Sequence, residues 1–261
     1  MIWKDDLNRE VEISEMPKRI VSLCPSITET ICKLDLQHHL VGITDYCIHP
    51  EPLLVNKERI GGTKSINIDK IHLLEPDLIL AVKEENLRKD IRSLQKEYPV
   101  FVFDIKSFDQ GVDLIDRLGD MLDAKYDAHM LSETLRQISS SLIPVKKPKK
   151  ALYLIWKDPI MAAGKDTFIS SMMNIAGFKN CLLKRDGSYP KIDDLNELDY
   201  DTLILSTEPY EFSEHHIDEF RKLVPDKEVI LVDGEMFSWY GSHMVEAVCY
   251  IESLRKSLDL K

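Results

Sequence analysis

Along KYDAHMLSETLRQISSSL, the apolar positions Ala128, Leu131, Leu135, Ile138 and Leu142 recur at alternating steps of three and four, which predicts one long α-helix over residues 125–142. The proline and lysine break IPVKKPKK ends that helix, and a fresh apolar run, ALYLIW, opens at Ala151. The same order of signals stands on both sides of the helix: RIVSL, LEPDLILAV and VFVFDI before it, then ALYLI, LDYDTLIL and VILVDG after it. Short apolar runs alternating with amphipathic stretches imply parallel sheets covered by helices. The expected architecture is α/β: two Rossmann-like lobes with parallel sheets joined by one long α-helix, divided as 1–124, 125–147 and 148–261. A cleft between such lobes is where a ligand is expected.

Within the first lobe, strands are predicted over 19–23, from Leu40 onward, over 78–82 and over 100–105, with helices over 26–34, up to Leu74, over 87–98 and over 110–122. Ser26 and Glu29 have the spacing of a capping box, and Asn67 is placed to cap the helix that follows it. In the second lobe, strands are predicted over 151–155, 202–206 and 229–232. Helices are predicted over 168–176 with Asp166 as cap, through His216 to Leu223, and over 244–258, with a short acidic-headed helix after Tyr189 and Pro190.

Composition narrows the use of this scaffold. A net charge of -11 over 261 residues, with KKPKK as the one basic cluster, argues against a nucleic-acid groove. No apolar run approaches the roughly 20 residues that cross a bilayer, and MIWKDDLNREVEI has neither the charged head nor the apolar run of a secretory signal. As written, the chain is expected to be cytoplasmic unless a signal was removed. Five scattered cysteines suit reduced thiols better than a disulfide framework, and Cys24, Cys32 and Cys249 are expected in apolar packing.

The motifs exclude more than they prove. No G-x-G-x-x-G follows a strand, and no P-loop, G-x-S-x-G elbow or H-E-x-x-H occurs. Cys47 and His49, at that spacing on an extended segment and with no orienting third group evident, are not expected to work as nucleophile and base, so no enzyme is expected. Chemistry-bearing residues gather instead just past strand ends: Tyr46, Cys47 and His49 after the second strand, Lys83 to Asn86 after the third, and Glu235, Phe237, Trp239, Tyr240 and His243 in DGEMFSWYGSH. Cys47, His49 and His243 are candidate ligands for a soft metal ion, while the rings of the last loop fit either a flat, apolar ligand or ordinary core packing.

RIVSLCPSITETI, VGITDYCIHP, GGTKSINIDKIHLLEPDLILA, a spacer helix, AAGKDTFISSMMNIAG and DGEMFSWYGSHMVEA, in that order over almost the whole chain, resemble the periplasmic substrate-binding proteins with a single backbone helix. That family serves ABC importers of vitamin B12, haem and iron siderophores. The resemblance implies a monomeric receptor that holds a metal-containing small molecule, with no tightly bound cofactor and no reaction, and hands it to an importer permease from the periplasm. Carried over by motif, Tyr46 and Tyr189 match ring-stacking aromatics, and Asp69, with Asp193 or Asp194, matches acids that dock on the transporter. Lys64 and Val82 stand where cobalamin-binding members carry tryptophans, so the same corrin cage is not expected. The ligand-binding set is Tyr46, Lys64, Glu84, Trp156, Tyr189, Glu235, Trp239, Tyr240 and His243, for cobalamin, haem, a ferric chelate or a transition-metal ion. The alternative is a cytosolic metal-ion or tetrapyrrole binder that uses Cys47, His49 and His243.

Overall fold

The computed structural model describes residues 1–13, 16–182 and 187–260. The chain forms two compact units, one of Met1–Ile105, Asp109–Arg136 and Tyr240–His243, the other of Lys106–Phe108, Gln137–Trp239 and Met244–Lys261. Residues 240–243, which the sequence leaves in the second lobe, thus pack with the first unit.

The first unit opens with an antiparallel hairpin, β1 (Ile2–Lys4) and β2 (Glu10–Glu12). It continues through β3 (Ile20–Ser22), α1 (Pro25–Lys33), β4 (Leu40–Ile43), α2 (Glu51–Leu54), β5 (Glu58–Arg59) and a tight hairpin of β6 (Gly61–Gly62) and β7 (Ser65–Ile66). Then come α3 (Ile68–Leu74), β8 (Leu78–Val82), α4 (Arg88–Leu94), β9 (Val100–Phe103), α5 (Phe108–Met121), whose first residue belongs to the second unit, and α6 (Lys125–Ser141), which passes into the second unit at Gln137. Its main sheet has the order β5-β4-β3-β8-β9 with every neighbouring pair parallel. All five residues of β8 are buried, as a central strand covered on both faces requires. Val21, Ile79 and Val102 meet Ile71, Ile91 and Leu94 from the helices in one core.

Local chemistry sets the boundaries. Asn67 caps α3 as expected, its side chain accepting from the Lys70 amide at 3.0 Å. The expected capping box at Ser26 and Glu29 does not form: Cys24 is the cap residue, Pro25 opens the helix with no amide to satisfy, and Ser26 lies inside the first turn. In α6, Ala128 and Leu135 are buried, whereas Leu131, Ile138 and Leu142 are half-buried, so the apolar stripe is real but only partly covered. Ser132 completes the buried side by donating to Asp116 Oδ1 at 2.6 Å, and Arg136 reaches Asp116 Oδ2 at 2.7 Å.

The second unit comprises β10 (Lys149–Trp156), β11 (Met161–Ala162), α7 (Phe168–Ile175), β12 (Phe178–Asn180), β13 (Thr202–Ser206), α8 (Glu214–Leu223), β14 (Glu228–Val232), α9 (Glu235–Ser238) and α10 (Met244–Ser257). β10 pairs in parallel with β12 on one edge and β13 on the other, β14 follows β13, and β11 folds back antiparallel on the end of β10. Thr167, not Asp166, caps α7 by accepting from the Ser170 amide at 3.2 Å, while Asp166 pairs with Lys106 at 3.2 Å. The acidic-headed helix is a single 3-10 turn over Leu195–Glu197, capped by Asp194.

Numbered within each unit, the four principal parallel strands take the same order, second-first-third-fourth: β4-β3-β8-β9 in one and β12-β10-β13-β14 in the other. In such a sheet the loops after the first and third strands depart in opposite directions, which opens a crevice at their carboxyl ends. That point falls at residues 23–28 and 83–87 in the first unit, and at residues 156–167 and 206–213 in the second.

Candidate functional site

At the first of these points three strand ends are tied by one side chain. Asn86, buried, accepts from the Val82 amide at 2.8 Å and donates to the carbonyls of Leu23 at 3.1 Å and Thr63 at 3.2 Å. This holds the loop after β8, the entry to α1 and the β6–β7 hairpin in one arrangement. On that frame Lys64 donates to the Glu84 carbonyl. Glu85 has its carboxyl pushed above the usual range by burial, against the pull of the Lys64 charge and the Thr63 hydroxyl. Tyr46 is 61% exposed, and its ring lies against Gly62, where an added Cβ would come within 3.1 Å of Cε2. A glycine there lets the ring lie over the hairpin.

Behind this rim the residues are closed off. Tyr240 is buried, its hydroxyl 3.1 Å from Cys24 Sγ and its amide donating to Ser26 Oγ at 3.3 Å. Burial is the main reason that the phenol is held well above its ordinary range and the Cys24 thiol is pushed up to about 12. Gly241 adopts φ +73°, and a Cβ there would run into Thr30 Oγ1, so this crossing of the chain requires glycine. His243 is buried with Nδ1 3.0 Å from Glu29 Oε2, which is where the expected capping glutamate went, and its ring stacks on His49 at 6.1 Å between centroids.

The expected trio of Cys47, His49 and His243 is therefore only partly assembled. Cys47 Sγ sits between the hydroxyls of Thr28 at 3.1 Å and Thr44 at 3.2 Å, and burial raises its pKa, which favours the neutral thiol over the ligating thiolate. Arg59 donates to the carbonyls of Thr44 and Cys47, each at 2.8 Å, and fixes this loop from behind. Among the described residues, the one group of three His, Cys, Asp or Glu side chains whose ligand atoms lie within 4.8 Å of one another is His215, His216 and Glu219 on α8.

In the second unit, Trp156 stands at the end of β10, 40% exposed, with its indole N–H on the Asp158 carbonyl at 3.1 Å and its ring edge-on to Tyr210 at 5.7 Å. Tyr189 is 36% exposed, just beyond the segment in which Gly164 donates to the Ser188 carbonyl at 2.7 Å. Trp239 is 7% exposed and donates from Nε1 to Glu208 Oε1 at 3.0 Å, while the Ser238 hydroxyl donates to the same oxygen. Burial raises the Glu208 pKa, and the nearby charges of Glu235 and Asp233 add to the rise. Phe237 is fully buried against Tyr153. Of the two readings of the last loop, core packing is the one its rings adopt: Trp239 and Tyr240 are both covered. Glu235, half-buried at the start of α9, donates its amide to Asp233.

The acids assigned to docking are all exposed. Asp69 lies in the first turn of α3, Asp193 pairs with Lys191 at 3.1 Å, and Asp194 caps its 3-10 turn. A cavity of about 420 Å³ lined by Arg9, Glu12, Gln95 and Tyr98 among others opens at the amino end of β9, away from the carboxyl rim. Sequence reasoning placed Glu85 and Asn86 in the polar run directly after a fully apolar strand without giving either a role of its own, and it passed over Glu208, which carried no signal.

Comparison with known proteins bears on the fold and the family. The family described as periplasmic binding protein matches residues 20–227. An uncharacterized ABC transporter substrate-binding lipoprotein of Bacillus subtilis is 27% identical, over 97% of this chain and 84% of its own. A vitamin B12-binding protein of Yersinia pestis is 26% identical over 69% of this chain, a stretch that spans 65% of that protein. Among solved structures, the periplasmic vitamin B12 binding protein of Vibrio cholerae superposes with a TM-score of 0.76 at 21% identity, covering 95% of this chain and 100% of its own.

Proposed function

Because the chain belongs to the periplasmic binding protein family, we propose that it is the substrate-binding component of an ABC importer and carries a metal-containing small molecule of the cobalamin, haem or ferric-chelate class. The observation that carries this reading is the exposure of Tyr46, Trp156 and Tyr189 on the carboxyl rims of two parallel sheets of identical strand order. Large rings left uncovered at such a rim suit a flat or apolar ligand face, and Lys64, Glu84 and Glu235 offer the polar anchors beside them. Tyr240, His243 and Trp239 act one layer back by holding these loops. The receptor carries its cargo unchanged, and its place of work is the outer side of the cytoplasmic membrane, where an importer collects. No helix among the described residues is long and apolar enough to cross a membrane. Asp69, Asp193 and Asp194 are the acids offered to the permease, each free of burial cost. The cytosolic alternative loses its soft ligand, since the Cys47 thiol is buried and held by two hydroxyls.

The test is titration of the purified chain with cyanocobalamin, haemin and ferric siderophores, followed by visible absorption and calorimetry. One ligand class should bind at one per chain, and Tyr46→Ala and Trp156→Ala should each weaken it by about tenfold or more at unchanged melting temperature. Absence of binding to all three classes, or full affinity in both variants, refutes the proposal.

A further inference from the structure

α8 carries a donor set that the cargo reading does not use. His215 and Glu219 are four residues apart and His216 and Glu219 three apart, so both imidazoles flank one carboxylate on a single helical face. One ring nitrogen from each histidine and one carboxylate oxygen lie within 4.8 Å of one another, with His215 exposed, His216 buried and Glu219 between. The two imidazole centroids are 4.7 Å apart.

We propose that His215, His216 and Glu219 form a binding site for one divalent transition-metal ion of the zinc class on the second unit, using none of the side chains assigned to the cargo. Two imidazoles and a carboxylate are a donor set that Zn(II) takes readily, with water completing the coordination. His216 is already oriented from behind. The Ser213 amide donates to its Nδ1 at 3.0 Å, the Ser213 hydroxyl lies 3.0 Å from the same nitrogen, and its Nε2 has a 3.4 Å contact with Tyr210 Oη. Taking the ion on Nε2 requires the tautomer that donates from Nδ1 to Ser213 Oγ, and the bond from the Ser213 amide is given up. A serine in this position acts as the group that fixes ring and tautomer behind a metal-bound histidine. The ion has one rival, the Lys157 ammonium, 2.7 Å from Glu219 Oε2. Lysine and metal compete for the same carboxylate, so the affinity is set partly by a residue that donates nothing to the ion.

That competition makes the proposal testable in a direction that chance surface binding would not reproduce. The full chain, stripped with chelator and exchanged into chelator-free buffer, is titrated calorimetrically with Zn(II), and with Co(II) for its visible d–d bands. Wild-type protein should take up one ion. His215→Ala, at an exposed position whose loss leaves the fold intact, and Glu219→Gln should each weaken binding by about tenfold or more, whereas Lys157→Met should tighten it. Zinc binding that is absent in the wild type, or unmoved in both His215→Ala and Glu219→Gln, overturns the assignment. Cargo binding measured on His215→Ala and Glu219→Gln should be unchanged, so this result and the receptor reading fail independently.

Discussion

Replacing Asn86 with alanine should unfasten the first unit's rim more than any single ring could. Its side chain makes three hydrogen bonds, to the Val82 amide, the Leu23 carbonyl and the Thr63 carbonyl, all in buried surroundings. Removing the amide leaves one backbone donor and two backbone acceptors without that partner, and each such loss costs about 1 kcal/mol, so the sum is about 3 kcal/mol. Asn86→Asp keeps the acceptor for Val82 but sets a carboxylate oxygen against the two carbonyls, and should cost at least as much. The assay is urea denaturation followed by far-UV circular dichroism, with calorimetry to assign the loss to one unit. Because the Thr63–Lys64 hairpin and the Tyr46 ring rest on this tie, cargo affinity should fall together with stability. A loss under about 1 kcal/mol for Asn86→Ala would refute the reasoning, since it would mean that water or a local shift replaces all three bonds.

Three further outcomes follow from the geometry. Trp239→Ala should destabilise the second unit by about 3–5 kcal/mol, read by thermal unfolding, because it empties a covered site and takes a donor from Glu208. Glu208→Gln should change the pH dependence of stability: the folded pKa is raised, so the contribution of the protonated carboxyl is full below the ordinary carboxylate range and is lost as pH rises through the folded value. The wild type should therefore lose melting temperature relative to Glu208→Gln as pH climbs from that range, and parallel curves would contradict this. Ellman's reagent should react first with exposed Cys249, whereas Cys24 and Cys32, both pushed up to about 12 chiefly by burial, should react only on unfolding.

The apolar rhythm of the chain by itself determined the elements and their repetition. Strands 78–82 and 202–206 were read to the residue, α6 to within one, and the two-lobed parallel plan followed from the alternation, because periods of two and 3.6 and the breaks between them are local properties of the chain. Asn67 was legible as a cap for the same reason. What lies beyond one turn of helix was not. Ser26 and Glu29 have the spacing of a capping box, yet they spend their side chains on the Tyr240 amide and on His243, more than 200 residues away. Trp239 and Tyr240 look like exposed rings in a loop, yet tertiary packing covers both and leaves Tyr46, Trp156 and Tyr189 in the open. Cys47 looks like a ligand beside His49 until Thr28 and Thr44 are seen around its sulfur. Composition and spacing state what a side chain can do; burial and the partner brought from elsewhere in the chain decide which of those things it does.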